Sequence, residues 1–202
     1  MKQSPFSLVF ATQNRHKCNE IQAVLGNAFQ LVTLPEAGIT DELEETADTL
    51  EGNALQKART VFARTGKPCF ADDTGLEVNA LNGAPGVYSA RYAGEHRSSS
   101  DNITKLLHEL QDKSNRSARF RTVIAFVNGT EEKLFEGIVN GEIAHTPAGN
   151  SGFGYDPVFL PEGSTRSFAE MTLEEKNKVS HRARAFQAFT AWLTASSPEN
   201  QN

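Results

Sequence analysis

Leu8-Val9-Phe10-Ala11-Thr12-Gln13-Asn14 is the stretch on which the fold turns. Its compact, partly β-favouring apolar run reads as a buried strand, ending where Thr12, Gln13 and Asn14 begin. A helix is expected next, with Ile21, Val24 and Leu25 recurring on one face and Gly26 placed to stop it. Strand, polar turn and helix in succession open an α/β protein.

Downstream the alternation continues. Leu55, Ala58, Val61 and Phe62 set a helical pattern, Thr65-Gly66-Lys67-Pro68 punctuates it, and Cys69-Phe70-Ala71 predicts a short strand running into Asp72-Asp73-Thr74-Gly75. Ser100 is the expected cap of a helix striped by Ile103, Leu106, Leu107 and Leu110, which the polar run 111–117 ends. Phe120 to Val127 predicts a largely buried strand. Asn128-Gly129 then supplies a hairpin turn into a second strand over 133–138, with a further short strand after Asn140-Gly141. Thr172 and Glu175 have capping-box spacing. Ala185, Phe186, Phe189, Trp192 and Leu193 form the apolar face of a last helix. The fold class is α/β, with a mixed β-sheet flanked by helices.

A chain of 202 residues, 38% hydrophobic and 22% charged, can bury a substantial core as one domain or two closely joined lobes. Residues 1–195 are expected to form that domain, and 196–202 a disordered tail. The net charge of −5 gives no electrostatic reason to embrace a nucleic-acid polymer, while a local basic pocket for a single nucleotide stays open. Cys18 and Cys69 are too few for a disulfide framework and read as ordinary thiols. Nowhere do about 18 apolar residues run together, so no membrane partner is expected, and a reducing compartment such as the cytoplasm is.

Three polar clusters are candidates for chemistry. Thr12, Asn14 and Lys17 stand at a strand-to-helix junction, where backbone N–H groups and an ammonium can receive phosphate oxygens; taken alone, a capping role for Thr12 or Asn14 with a solvated Lys17 accounts for them better. Asp72 and Asp73 are adjacent carboxylates at an expected strand end, and like charges so close call for solvent, hydrogen bonds or a hard cation. Magnesium takes oxygen ligands, often one or two carboxylates together with substrate phosphates, and Glu44 or Glu45 can offer another. Lys176, with Ser180-His181-Arg182, supplies cations and a planar fork suited to phosphate or a base oxygen; a charged, capped helix surface explains each singly. In Gly152-Phe153-Gly154-Tyr155-Asp156-Pro157, closely spaced glycines mark unusual φ or close backbone approach. Phe153 there reads either as a base-stacking ring or, with Tyr155, as core.

These segments, taken in order, resemble the inosine triphosphate pyrophosphatase family. The resemblance is carried by Val9 to Lys17, Ala71-Asp72-Asp73-Thr74-Gly75-Leu76, Gly83-Ala84-Pro85-Gly86-Val87-Tyr88-Ser89-Ala90-Arg91-Tyr92, Gly152 to Phe159, Glu174-Glu175-Lys176 and Ser180-His181-Arg182. It implies an elongated mixed sheet with two lobes around a central substrate cleft, a homodimer, and magnesium (Mg2+) as cofactor. It also implies hydrolysis of noncanonical purine nucleoside triphosphates (ITP, dITP, XTP) to the monophosphate and pyrophosphate. By the same resemblance Asp73 is the catalytic residue and a metal ligand, and Glu45, with Glu44 as the alternative, is the second metal-binding carboxylate. Substrate binding falls to Thr12, Gln13, Asn14, Arg15, His16, Lys17, Thr74, Phe153, Gly154, Tyr155, Asp156, Lys176, His181 and Arg182. Two departures stand out: Gln13 replaces the family's usual glycine, and Gly52-Asn53-Ala54 stands where Glu-Asn-Ala is common. A pyrophosphatase for modified pyrimidine triphosphates, a nucleotide-binding sensor without turnover and a structural scaffold are the alternatives.

Overall fold

The computed structural model describes residues 6–14, 16–18, 21 and 29–195. Arg15, the predicted helix-face residues Val24 and Leu25, the stop Gly26 and the expected tail at 196–202 lie outside the described residues.

The chain is an α/β protein with a mixed sheet. Strands β1 (Phe6–Phe10), β2 (Phe29–Val32), β3 (Cys69–Val78), β4 (Pro85–Gly86), β5 (Ser117–Val127), β6 (Glu132–Ile143) and β7 (Phe159–Pro161) are hydrogen-bonded in the order β2-β1-β3-β5-β6-β7, with β4 paired to β3. Among the described residues, helices of seven residues or more are α1 (Leu50–Thr65), α2 (Ser99–Glu109), α3 (Leu173–Val179) and α4 (His181–Ala195). Both β1–β2 and β1–β3 are parallel, whereas β3–β4 and β6–β7 are antiparallel. Among the described residues, no helix is long and apolar enough to cross a membrane.

Contacts divide the chain into two compact units. The first comprises 1–73, 123–137 and 183–202; the second comprises 74–122 and 138–182.

The core of the first unit is aromatic. Phe70 stacks on Phe10 at 4.5 Å between centroids and meets Phe186 and Phe189 of α4 at 5.4 and 5.2 Å. Alternation along β1 sends Leu8 and Phe10 into this core, where helical Ile21 is also buried. The predicted face of α4 is the face it buries: Ala185, Phe186, Phe189 and Leu193, with Trp192 half-buried beside them. Burying such rings contributes roughly 2–3 kcal/mol each.

In the second unit Leu76, Val78, Phe120, Phe159 and Phe168 pack with Ile103, Leu106 and Leu110, the predicted stripe of α2. The capping side chain of α2 is Ser98, whose Oγ accepts from Asp101 N–H at 3.3 Å, so Ser100 lies two residues too late, inside the first turn, to cap. The hairpin at Asn128-Gly129 forms as predicted, closed by Asn128 N–H on Glu131 O. No new strand begins after Asn140-Gly141, because β6 runs unbroken to Ile143. Gly141 stands opposite Pro161 of β7, and a Cβ there would collide with the carbonyl oxygen of Leu160. The glycine is a close-approach residue within the strand, where the sequence reads as a turn.

The capping box at Thr172 forms as expected: Thr172 Oγ1 accepts from Glu175 N–H at 3.2 Å, and Glu175 Oε2 accepts from Thr172 N–H at 2.8 Å. Arg166 adds an ion pair at 2.7 Å, and these donors hold the Glu175 carboxyl down at about 2. A carboxyl held below its unfolded value stabilises the fold above that value, near 4.5, and loses the contribution as pH falls toward 2. Glu175→Gln is therefore expected to flatten this acid limb, read as stability against pH between 5 and about 2 by urea unfolding. Gly141→Ala is expected to cost about 1–3 kcal/mol in the same assay at neutral pH.

Candidate functional site

In the first unit, β1 delivers the chain into the turn that carries Thr12, Gln13 and Asn14. Asn14 Oδ1 accepts from His16 N–H at 2.9 Å and from Lys17 N–H at 3.2 Å, while Thr12 Oγ1 accepts from Asn14 N–H at 3.2 Å. Asn14 is thus the cap of the helical turn at 16–18, and these two amides are already engaged. The expected capping holds for Asn14 through Oδ1. The accompanying solvated lysine does not: the Lys17 ammonium is nearly buried, 3.0 Å from Asp72 Oδ1.

Asp72 and Asp73 lie inside β3, where a strand end had been expected, because β3 continues to Val78. Both are buried. A buried carboxylate needs donors and counter-charge. Lys17 serves Asp72, and Asn53 Nδ2 donates to Asp73 Oδ2 at 3.2 Å. Lys57 donates to the Asp72 carbonyl at 2.8 Å, lies 3.9 Å from Asp73 Oδ1 and binds Glu45 Oε1. Burial pushes the Asp73 carboxyl above the usual carboxylate range; Lys57 and Lys17 pull against it and Glu45 adds to it. Burial works to lower the Lys57 pKa, but Asp73, Glu45 and Asp72 together outweigh it, so the ammonium is held above its ordinary value.

Asn53 and Lys57 are functional-site candidates that the sequence reading missed. They stand four residues apart on the buried face of α1, with Ala54, Ala58 and Val61. That spacing was the available signal. It is hidden by counting only Leu55, Ala58, Val61 and Phe62, of which Leu55 and Phe62 are only half-buried.

Glu45 and Glu44 separate clearly. Glu45 is half-buried against Lys57, whereas Glu44 is exposed. Most of the remaining acid at 36–51 is solvated, as expected. The departure at Gly52 has a local reason: a Cβ there would lie 2.5 Å from Ala47 Cβ and 3.0 Å from Thr49 Oγ1. The acidic segment thus runs directly over the first turn of α1.

Glu45 and Asp73 both face the Lys57 ammonium, so two hard oxygen donors already converge on one cationic point. This donor chemistry suits magnesium. Among the described residues no three His, Cys, Asp or Glu side chains form a group that could hold a metal ion by themselves.

In the second unit, Asp156 Oδ2 accepts from Lys176 Nζ at 2.7 Å and from Phe153 N–H at 2.8 Å. Asp156 and Lys176 are both buried, an ion pair inside the protein rather than a charged helix surface. Gly152 takes φ +78°, and a Cβ there would strike the Asp156 carboxylate, which explains a glycine beside Phe153. The Phe153 ring is half-buried, with Lys176 Nζ 5.1 Å and Arg182 Cζ 5.5 Å from its centroid. Arg182 is buried and donates to Thr74 Oγ1 at 3.2 Å; Thr74 in turn meets Thr122 Oγ1 at 2.7 Å. His181 is buried, stacked on Phe120 at 4.5 Å. Tyr155 is core, its hydroxyl donating to Ser89 O at 2.9 Å, and burial pushes that phenol up. Gly154 takes φ +61°.

The structure thus gathers Thr12, Asn14, Lys17, Glu45, Asp72 and Asp73 in one unit. It gathers Thr74, Phe153, Asp156, Lys176, His181 and Arg182 in the other. Each set is a polar cluster built into an α/β scaffold. The chain belongs to the Ham1 family, whose model matches residues 8–192. It is 51% identical over 181 residues to a dITP/XTP pyrophosphatase of Flavobacterium psychrophilum, covering 90% of this chain and 95% of that one. To a protein of the same description from Porphyromonas gingivalis it is 55% identical over 179 residues, covering 88% and 92%. Among solved structures, the Staphylococcus aureus Ham1 protein superposes with a TM-score of 0.87 at 38% identity, covering 95% of this chain and all of that one.

The Asp156–Lys176 pair is testable on its own. Asp156→Ala leaves a buried ammonium and the Phe153 N–H without their acceptor, and is expected to cost about 3–5 kcal/mol in urea unfolding. Combining it with Lys176→Met is expected to recover part of that loss.

Proposed function

We propose that the chain hydrolyses noncanonical purine nucleoside triphosphates, ITP, dITP and XTP, between the α and β phosphates, releasing the monophosphate and pyrophosphate with the help of magnesium. The reading is supported by likeness, over 90% and 88% of this chain, to proteins described as dITP/XTP pyrophosphatases. The observation that carries it is the first unit's charge cluster. There Lys17 and Lys57 are interleaved with Glu45, Asp72 and Asp73, so carboxylates for a cation and ammonium groups for phosphate lie side by side.

Asp73 is assigned to orient the attacking water and accept its proton, with its carboxylate held in one rotamer by Asn53. Lys17 is assigned to the phosphate oxygens, fixed in advance by Asp72 so that little reorganisation accompanies charge build-up. Glu45 and Asp73 would hold magnesium, which when bound supplies charge neutralisation at phosphate oxygens. In the second unit, Phe153 is assigned to base stacking, and Arg182 and His181 to recognition of oxygen acceptors. Lys176 is assigned to holding Asp156, and through it the Phe153 backbone.

Preference for a 6-oxo purine would follow from Arg182 and His181 acting as donors to that oxygen. Adenine presents an amino group at the same place and would leave buried donors opposed.

Asp73→Asn is expected to fold and to lose about 10²- to 10⁴-fold in turnover. Wild-type turnover in a folded Asp73→Asn protein would remove the assignment. For the substrate class, the measurement is pyrophosphate released from ITP, dITP, XTP, GTP and modified pyrimidine triphosphates with and without magnesium. Release confined to the pyrimidines, or binding without release, would sink the reading.

A further inference from the structure

Gln13 has a side chain where the resemblance leads one to expect none, and that side chain has a destination. Its Nε2 donates to two successive carbonyl oxygens of the acidic segment, Asp41 O at 2.9 Å and Thr40 O at 3.3 Å. Both partners are acceptors, so the nitrogen of the amide is what the position uses. Gln13 is absent from the residues with positive φ, so the turn takes a conformation open to any side chain.

The segment reached by Gln13 is tied down again on either side of Glu45. Before it, Arg64 from the last turn of α1 lays Nη1 2.7 Å from both oxygens of Asp41. After it, Thr46 and Gln56 exchange two hydrogen bonds of 2.9 Å, and Ala47 N–H donates to Asn53 Oδ1 at 2.9 Å. The ties from Arg64, Gln56 and Asn53 all lead to α1. The tie from Gln13 leads to the turn that carries Thr12, Asn14 and Lys17.

We infer that Gln13 is a positioning residue that latches the Glu45 segment to the Thr12–Lys17 turn. The latch holds the second carboxylate in register with the residues assigned to phosphate. It performs through a side chain a restraint that a glycine at this position cannot supply. The inference deepens the proposed function, on which its kinetic arm rests; its structural arm does not depend on any activity.

The test compares Gln13→Ala and Gln13→Glu with the wild type. Glutamate keeps the shape but sets an oxygen against two carbonyl oxygens, so a space-filling role tolerates it and a hydrogen-bonding role does not. The first readout is hydrogen–deuterium exchange of backbone amides 42–47 in metal-free protein, with the amides of β3 as the internal reference. Both variants are expected to exchange about two- to tenfold faster at 42–47, with β3 unchanged. The second readout is the magnesium concentration that half-activates ITP hydrolysis, expected to rise about two- to tenfold. Wild-type exchange in Gln13→Glu overturns the latch. So does faster exchange with an unmoved magnesium requirement, because the segment would then be loose without consequence for Glu45. If the wild type releases no pyrophosphate from any triphosphate, the proposed function fails, while the exchange measurement still decides whether the latch exists.

Discussion

Two carboxylates buried inside a strand are the constraint around which the first unit is arranged. Asp72 is fully buried and Asp73 keeps only a small exposed face, so the fold has to bring cations and donors to them. Lys17 comes from the turn after β1, and Lys57 and Asn53 come from α1. Charge compensation therefore also docks two separate elements against β3. Lys57 is central because one ammonium answers the Asp72 carbonyl, the Asp73 carboxylate and Glu45 together. A lysine can stay charged at such a site only because three acceptors offset its desolvation.

The second unit solves a similar problem with an aromatic ring. Asp156 is buried with Lys176, and the carboxylate also fixes the backbone N–H of Phe153. Two cations, Lys176 and Arg182, lie near the Phe153 ring. A ring so placed gains from its quadrupole as well as its area. Gly152 makes the close approach of Asp156 possible, so the glycine, the carboxylate and the ring are one local device.

Much of the architecture was legible because the signals were local. The strand before Thr12, the hairpin at Asn128-Gly129, the capping box at Thr172 and the apolar face of α4 each rest on residues within about one or two turns of one another. Errors arose where a neighbour distant in sequence overrode the local pattern. Gly141 reads as a turn glycine, but its reason is the Leu160 carbonyl across the sheet. Asp72-Asp73 reads as a strand end because charges are rarely buried, yet Lys17 and Lys57 make burial tolerable.

The sequence by itself determined the α/β class, the apolar face of α4, the hairpin at Asn128-Gly129 and the capping box at Thr172, because these follow from periodicity and short-range chemistry. Only the tertiary structure decided that Lys17 meets Asp72, that Glu45 and not Glu44 meets Lys57, and that Gln13 reaches the acidic segment. Each of those depends on a partner whose position no local pattern fixes: which acceptor lies within hydrogen-bond reach of a side chain is set by the packing of whole elements.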